Sequence, residues 1–495
     1  MATARKNDDM SEFKNFKLAL IVGLLMPILF SCSTYNTKLS KYYSAVKTNN
    51  YAGALTVLNK NRFINEPRNV LLSYFEKGRM CHLLQQYDSS NLYFNLADKF
   101  IEDNHKTLGD VVVSNIVNPM VQTYLGEDFE CLLIHYYKAL NYYYLGKPED
   151  AIVEARRITL STNKQKDKFK DKSTRYSKDA FLFNLQGMLY EMNGDMNNAF
   201  IAYRNAVEVY QAASNNYYGV SMPQQLKVDV INAAIATGFT DEANNYKNTF
   251  TMNNLPAKQG SVGELVVFIE QGWGPEKKQQ DLFLTKDASG LSTFYYVDEL
   301  GQNVQVPFDI HYYHSIRSED VNWSSFRTFH IAFPSYIPFS NNYSIDTVEV
   351  NKTTYTTQLS EDVNSIAINV LKERKLKEIT NAIARQIVKH LVEKGVEKGV
   401  VEAAKESSSS KDDNKKNKDA DLAGNVAGLL VNLVNSATEK ADTRCWQSLP
   451  AFINYVRVPL KEGSNSIVIT ANGIKRTINI DGRKGLQFYN WSVGR

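Results

Sequence analysis

The stretch that decides the fold runs from Ala180 to Ala213: Ala180-Phe-Leu-Phe183-Asn-Leu-Gln-Gly187-Met-Leu-Tyr190-Glu-Met-Asn-Gly-Asp195-Met-Asn-Asn-Ala199-Phe-Ile-Ala-Tyr203-Arg-Asn-Ala206-Val-Glu-Val-Tyr-Gln-Ala-Ala213. It reads as a helix, a turn at Met192-Asn-Gly-Asp195, and a second helix. Gly187, Ala199 and Ala206 are small enough to let the two helices approach closely. Phe183, Tyr190 and Tyr203 fill the space beside them.

These residues fall at the aromatic and small-residue positions of a 34-residue tetratricopeptide repeat. The same register fits 71–104 through Tyr74, Gly78, Ser90, Phe94 and Ala97, although Cys81 stands where an aromatic belongs. A weaker copy covers 132–165, with Tyr142 and Ala151 in register and Ala155 and Ile158 out of it. Tyr51 and Ala54 mark an incomplete first unit, and 223–250 reads as a closing helix pair. Unequal spacing places insertions near 105–131 and 162–176. The second holds Asn163-Lys-Gln-Lys-Asp-Lys-Phe-Lys-Asp-Lys172, either a solvated loop or a contact for anionic lipid or wall polymer.

In such stacks the first helix of each unit lines a concave groove that grips extended peptides. Its positions give Phe75, Arg79 and His82, then Tyr136, Leu140 and Tyr143, then Asn184, Met188 and Glu191. This lining is aromatic and lacks the basic set that would hold a peptide carboxylate. The alternative is that it packs against the 105–131 insertion. Glu154, Arg156 and Arg157, with Glu130 nearby, form a polar cluster. It is either a salt bridge fixing an insertion, since residues three apart meet along a helix, or a polar site in the concavity.

The pattern changes at 254–260, which reads as a linker. Glu264–Glu270, Ser292–Val297, Val304–Ile310, Phe326–Phe333 and Ser344–Val350 read as strands, with Pro334 and Pro338 bounding one of them. Ser466–Ala471 and Ile474–Ile480 flank Asn472-Gly473, the dipeptide best suited to a tight hairpin turn. The expectation is an antiparallel β-sandwich-like domain in two parts, 261–358 and 441–495. A helical hairpin at 359–440 interrupts it. Apolar residues at 366, 370, 379, 383, 387 and 391 recur at helical spacing. Residues 405–419 carry no apolar side chain and are expected to be disordered. A second helix, 421–440, contains Gly424-x-x-x-Gly428, which suits close packing, self-association or a membrane surface. The whole is an α+β multidomain chain, with helical repeats over 32–253.

The N-terminal residues carry an address. Leu18–Phe30 is too short an apolar run to span a bilayer and suits a signal-peptide core, with Lys14 and Lys17 before it. It ends in Leu29-Phe-Ser-Cys32, which resembles a bacterial lipobox. Cleavage after Ser31 would remove a signal peptide, 1–31, and leave Cys32 lipidated as the first mature residue. Met10 is an alternative start. Ser33, rather than an aspartate, follows the cysteine, which favours the outer membrane with the protein facing the periplasm.

Several stretches resemble a group of bacterial lipoproteins with tetratricopeptide-like repeats followed by a C-terminal β domain. They are Tyr124-Leu-Gly-Glu-Asp-Phe-Glu130, Ala139-Leu-Asn-Tyr142, Ala151-Ile-Val-Glu-Ala-Arg-Arg157, Gly263–Glu270, Gly274-Pro-Glu-Lys277, and Ala441-Asp-Thr-Arg444 with Trp446 and Leu449-Pro450. The resemblance implies an architecture and no reaction.

Composition limits the function further. The 495 residues are more than one core holds, since single cores stop growing at roughly 250–300 residues. A net charge of +4 spread along the chain argues against a nucleic-acid binder. Four cysteines exclude a disulfide scaffold. No P-loop, Gly-x-Ser-x-Gly elbow, His-Glu-x-x-His or Cys-x-x-Cys pair occurs. His311, His314 and His330 are not spaced to converge on a metal, and no cofactor is expected. The expected function is a non-enzymatic, lipid-anchored envelope scaffold that binds a protein through its repeats. The alternative is a cell-wall glycan binder using Trp273, Tyr295, Tyr296 and Trp323. A hydrolase at the domain junction would need Glu264, Glu270 or Lys277.

Overall fold

The computed structural model describes residues 35–105, 119–168, 176–255, 261–286, 293–297, 302–308, 328–339, 346–406 and 440–494. The signal peptide, Cys32, Trp323, His311, His314 and the expected second hairpin helix lie outside them. So does the expected disordered loop, apart from Lys405 and Glu406.

The helices come first: α1 (Tyr35–Lys38), α2 (Ser40–Lys47), α3 (Tyr51–Lys60), α4 (Val70–Leu83), α5 (Tyr87–His105), α6 (Asp128–Tyr144), α7 (Pro148–Lys168), α8 (Ala180–Met192), α9 (Met196–Ala212), α10 (Gln224–Ala236) and α11 (Thr240–Phe250). Successive helices pack as α4/α5, α6/α7, α8/α9 and α10/α11, and each pair stacks on the next. This is the helical-repeat half of the chain. Its small residues sit where rings press hardest: a Cβ on Gly78 would meet the Phe94 ring at 2.7 Å, and one on Gly187 the Tyr203 ring at 2.4 Å. Asp179 and Asp195 start α8 and α9, their carboxylates accepting from the Leu182 and Asn198 amides at 2.8 and 3.1 Å. The turn between these helices is made by Gly194 at φ 77°.

The strands are β1 (Gly263–Gln271), β2 (Glu276–Lys286), β3 (Thr293–Val297), β4 (Asn303–Pro307), β5 (Thr328–Ile337), β6 (Thr347–Val350), β7 (Thr353–Thr356) and β8 (Gln358–Asp362). After helix α12 (Val363–Glu406) come β9 (Phe452–Leu460), β10 (Gly463–Ala471), β11 (Ile474–Gly482) and β12 (Gly485–Val493). They form three four-stranded sheets ordered β12-β1-β9-β8, β11-β10-β6-β7 and β4-β3-β2-β5. Asn472 and Gly473 take φ of 49° and 74° and turn β10 into β11, as the dipeptide predicts.

The β half differs from a simple antiparallel sandwich in two ways. The last strand, β12, lies parallel to the first, β1. A third sheet is covered by a helix: Leu284, Phe294, Ile331 and Phe333 pack against Ile379, Ile383 and Ile387 of α12. The first two sheets face each other through Leu265, Val267, Ile269, Val456 and Val458 on one side and Val348, Ile467 and Ile469 on the other. Strand β8 runs through the boundary expected at 358/359 and pairs with β9, so the helical insertion begins at Val363. Pro334 does not end its strand. It sits inside β5, on the outer strand of its sheet, where a missing N–H is tolerated.

Strand alternation sends the opposite side chains of β1, β9 and β12 away from the sandwich. Val266, Phe268, Ile453, Tyr455, Leu486 and Phe488 join one continuous core with the helices. A run such as Leu265–Ile269, apolar at every position, is what a strand covered on both faces requires. Trp446 and Leu449, in the segment leading to β9, enter the same core.

Candidate functional site

The concave face of the helical stack is covered by the chain's own first sheet. Phe75 stacks on Trp446 with ring centres 4.7 Å apart. Tyr136 meets Phe268 edge-on at 5.6 Å, and half-buried Tyr143 meets Phe488 at 5.3 Å. Asn184 and Met188 are buried as well. The open peptide groove expected there is closed: the β1/β9/β12 sheet covers it, and Gly126, within the 105–131 stretch, also lies against Phe75. The reason is that β1, β9 and β12 each carry a second apolar face that needs a partner.

Polar groups cross the junction in matched sets. Arg79 on α4 donates from Nη2 to Glu270 of β1 at 2.6 Å and to Ser492 Oγ at 2.8 Å, and from Nε to the Ser448 carbonyl at 3.1 Å. Glu270 also accepts from the Tyr136 hydroxyl and the Asn490 amide, each at 2.9 Å. Burial alone would raise the Glu270 carboxyl, but the Arg79 charge and these donors hold it at about 2. His82 lies 3.0 Å from Asn490 and 2.6 Å from Asn141, and burial beside Arg79 lowers it to about 4.

Two more sets flank this one. Arg457 of β9 donates to Glu191 at 2.9 Å, to Asp229 at 3.0 Å and to Glu264 at 2.6 Å. Burial, opposed by Arg457, raises Asp229 to about 7. At the other end Glu127 pairs with Lys277, and with Arg374 of α12 at 2.7 Å. Glu130 accepts from the Tyr124 hydroxyl at 2.5 Å and from the Trp446 and Glu127 amides at 2.7 and 2.9 Å. Burial and the Glu127 charge lift it to about 7. Arg444 is clamped by Asp442 at 2.7 Å, Asn69 at 2.9 Å and the Gln122 carbonyl at 2.9 Å. Glu76, which accepts from Tyr42 at 2.7 Å and Tyr43 at 2.8 Å, is raised by burial to about 7.

The expected polar cluster divides in two. Glu130 belongs to the Trp446 set. Glu154 pairs instead with His135 at 2.8 Å and Lys138 at 3.0 Å. Arg157 reaches Asp98 on α5, which also lies 2.7 Å from Lys138, rather than Glu154. Arg156 is exposed. Asp98, His135 and Glu154 bring ligand atoms within 4.8 Å of one another, spacing that suits a divalent cation. The cations already there are Lys138 and Arg157, and buried Lys138 would have to leave first, so the donor set does not fit a metal.

Glu264, Glu270 and Lys277, the residues a junction hydrolase would need, are tied into ion pairs with Arg457, Arg79 and Glu127. Trp273 and Tyr296 are 4% and 5% exposed, too enclosed to stack on a sugar. Sequence reasoning missed Arg457 and the Tyr42/Tyr43/Glu76 set. An arginine within the apolar run 452–460 was the available signal for the former.

No family model matches the chain, and neither does any curated protein. Among solved structures, BtubC (BKLC) from P. vanneervenii is 16% identical and aligns over 52% of this chain and 92% of its own, with a TM-score of 0.28. A putative kinesin light chain from Podosopora anserina, with nearly identical TPR-like repeats, is 13% identical over 44% of this chain and 97% of its own, with a TM-score of 0.25.

Proposed function

We propose that this chain is a lipid-anchored, non-catalytic scaffold of the bacterial envelope, held through Cys32 and facing the periplasm. The observation that carries the reading is the closed groove. The repeats are welded to the β half through buried ion pairs, and the charged groups at the junction are consumed in holding the two halves together. Such a body displays surfaces and turns over no substrate. The lipoprotein resemblance and the lipobox supply the anchor. Among the described residues no helix is long and apolar enough to cross a membrane.

With the groove filled, a protein partner of the repeats contacts their outer helices. There Leu92 and Leu96 on α5, Val153 and Leu160 on α7, and Ile201 on α9 stand exposed. The test is crosslinking with mass spectrometry in the native cells, with wild type beside Cys32→Ala and Leu92→Asp/Leu160→Asp. A reproducible partner lost in both variants is expected. Recovery of no partner, or of one indifferent to both changes, contradicts the reading. The glycan alternative loses Trp273 and Tyr296 to burial, and no observation favours it.

A further inference from the structure

A cleft lies between α2 and the turn that leads into β2. It has two adjoining lobes of about 380 and 260 Å³ that share the lining residues Tyr43, Lys47, Glu276 and Gln447. The larger lobe is polar, lined by Asn36, Ser40, Ser44 and Thr48. The smaller is walled by Val46, Trp273, Ile337, Pro338 and Phe339.

Three features of its lining concern charge and hydrogen bonding. Lys47 is exposed and makes no ion pair with the described residues. Glu276, which faces both lobes with Lys47, gives one oxygen to the Asn36 amide at 2.8 Å and makes no ion pair with Lys47. Trp273 is buried, and its indole N–H has no hydrogen-bond partner among the described residues. The chain therefore presents a cation and an anion to the same space without letting them neutralise each other, beside an apolar wall and an unused buried donor.

We infer that this cleft binds a small zwitterion with an apolar tail, an apolar α-amino acid or short peptide. Its carboxylate would meet Lys47, its ammonium Glu276, and its side chain the Val46/Ile337/Phe339 wall. Opposed charges set apart in one cleft match a ligand that carries both. The apolar lobe beside them selects against small polar zwitterions. The inference goes beyond the scaffold reading and does not depend on the anchor.

The experiment is calorimetric titration of the purified full chain in detergent with L-leucine, L-phenylalanine and Leu-Leu. Uncharged N-acetyl-leucine amide and dihexanoyl-phosphatidylethanolamine serve as comparison arms. Saturable binding of at least one of the first three is expected, with the amide silent. Lys47→Ala and Glu276→Gln should each weaken it by about tenfold or more. Glutamine at 276 keeps an acceptor for Asn36, and Lys47 holds nothing in place, so both variants should keep the wild-type melting temperature. No saturable heat, equal binding of the amide, binding of the phospholipid alone, or affinity unchanged in both variants would each overturn the inference.

Discussion

Arg79 and Glu270 stand 191 residues apart in the sequence and 2.6 Å apart in space, with both side chains sealed from solvent. One belongs to the second helical unit and the other to the first strand of the β half. The pair marks where the helical repeats and the sheet became one body.

Breaking that pair from one side is expected to be costly. Arg79→Met leaves the Glu270 carboxylate buried without its cation, a change worth about 3–5 kcal/mol. Arg79→Met combined with Glu270→Gln should recover most of the loss, because the double variant has no charge left to desolvate. Urea denaturation of the wild type and the three variants checks both statements through the double-mutant cycle.

Gly187→Ala should destabilise, against the usual sense of that change in a helix. Alanine normally gains about 0.5–1 kcal/mol there. Here the new Cβ would lie 2.4 Å from the fully buried Tyr203 ring, so overpacking of about 1–3 kcal/mol should win. A lowered thermal midpoint bears this out, and a raised one rejects the packing described for α8 and α9.

Trp446→Ala removes the ring stacked on Phe75 and close to Phe94, Tyr137 and the Glu130 network. A loss of about 3–5 kcal/mol is expected from the cavity alone. Chemical denaturation measures it. A change below about 1 kcal/mol would mean that the segment before β9 is not part of the shared core.

Two buried carboxyls should give opposite pH signatures. Glu76 is raised from the usual carboxylate range to about 7, so it contributes stability below roughly pH 4.5 that is lost as pH rises towards 7. Glu270 is lowered to about 2, so it contributes stability above roughly pH 4.5 that is lost as pH falls towards 2. Glu76→Gln should therefore gain on the wild type as pH rises from 4.5 to 7. Glu270→Gln should gain on it as pH falls from 4.5 to 2. Melting temperatures across both windows give the two slopes, and a common sign would contradict the assignment.

Local signals in the sequence served well where a segment's structure depends on its own spacing. Ala180–Ala213 gave a helix pair through its small and aromatic residues, Asn472-Gly473 gave a hairpin, and Ile366 to Ile387 gave the buried stripe of α12. Strands β2, β9 and β12 were not legible because their neighbours break the usual alternation. Arg457, Asn490 and Ser492 are polar residues on a face buried against helices, and they read as solvent positions until Glu191, His82 and Arg79 are placed opposite them. The β1/β12 parallel pairing was hidden for the same reason, since it joins strands at opposite ends of the β half. The residues expected to line the groove meet partners, Trp446 against Phe75 and Phe268 against Tyr136, that lie more than a hundred residues away in the chain.

Hydrogen exchange followed by mass spectrometry tests the closed groove most directly. Helices α4 and α6 and strands β1 and β12 are expected to exchange together, with one opening free energy, and to lose protection together in Arg79→Met. Sheet strands that open while α4 and α6 stay protected would show two independent bodies, and would contradict the account.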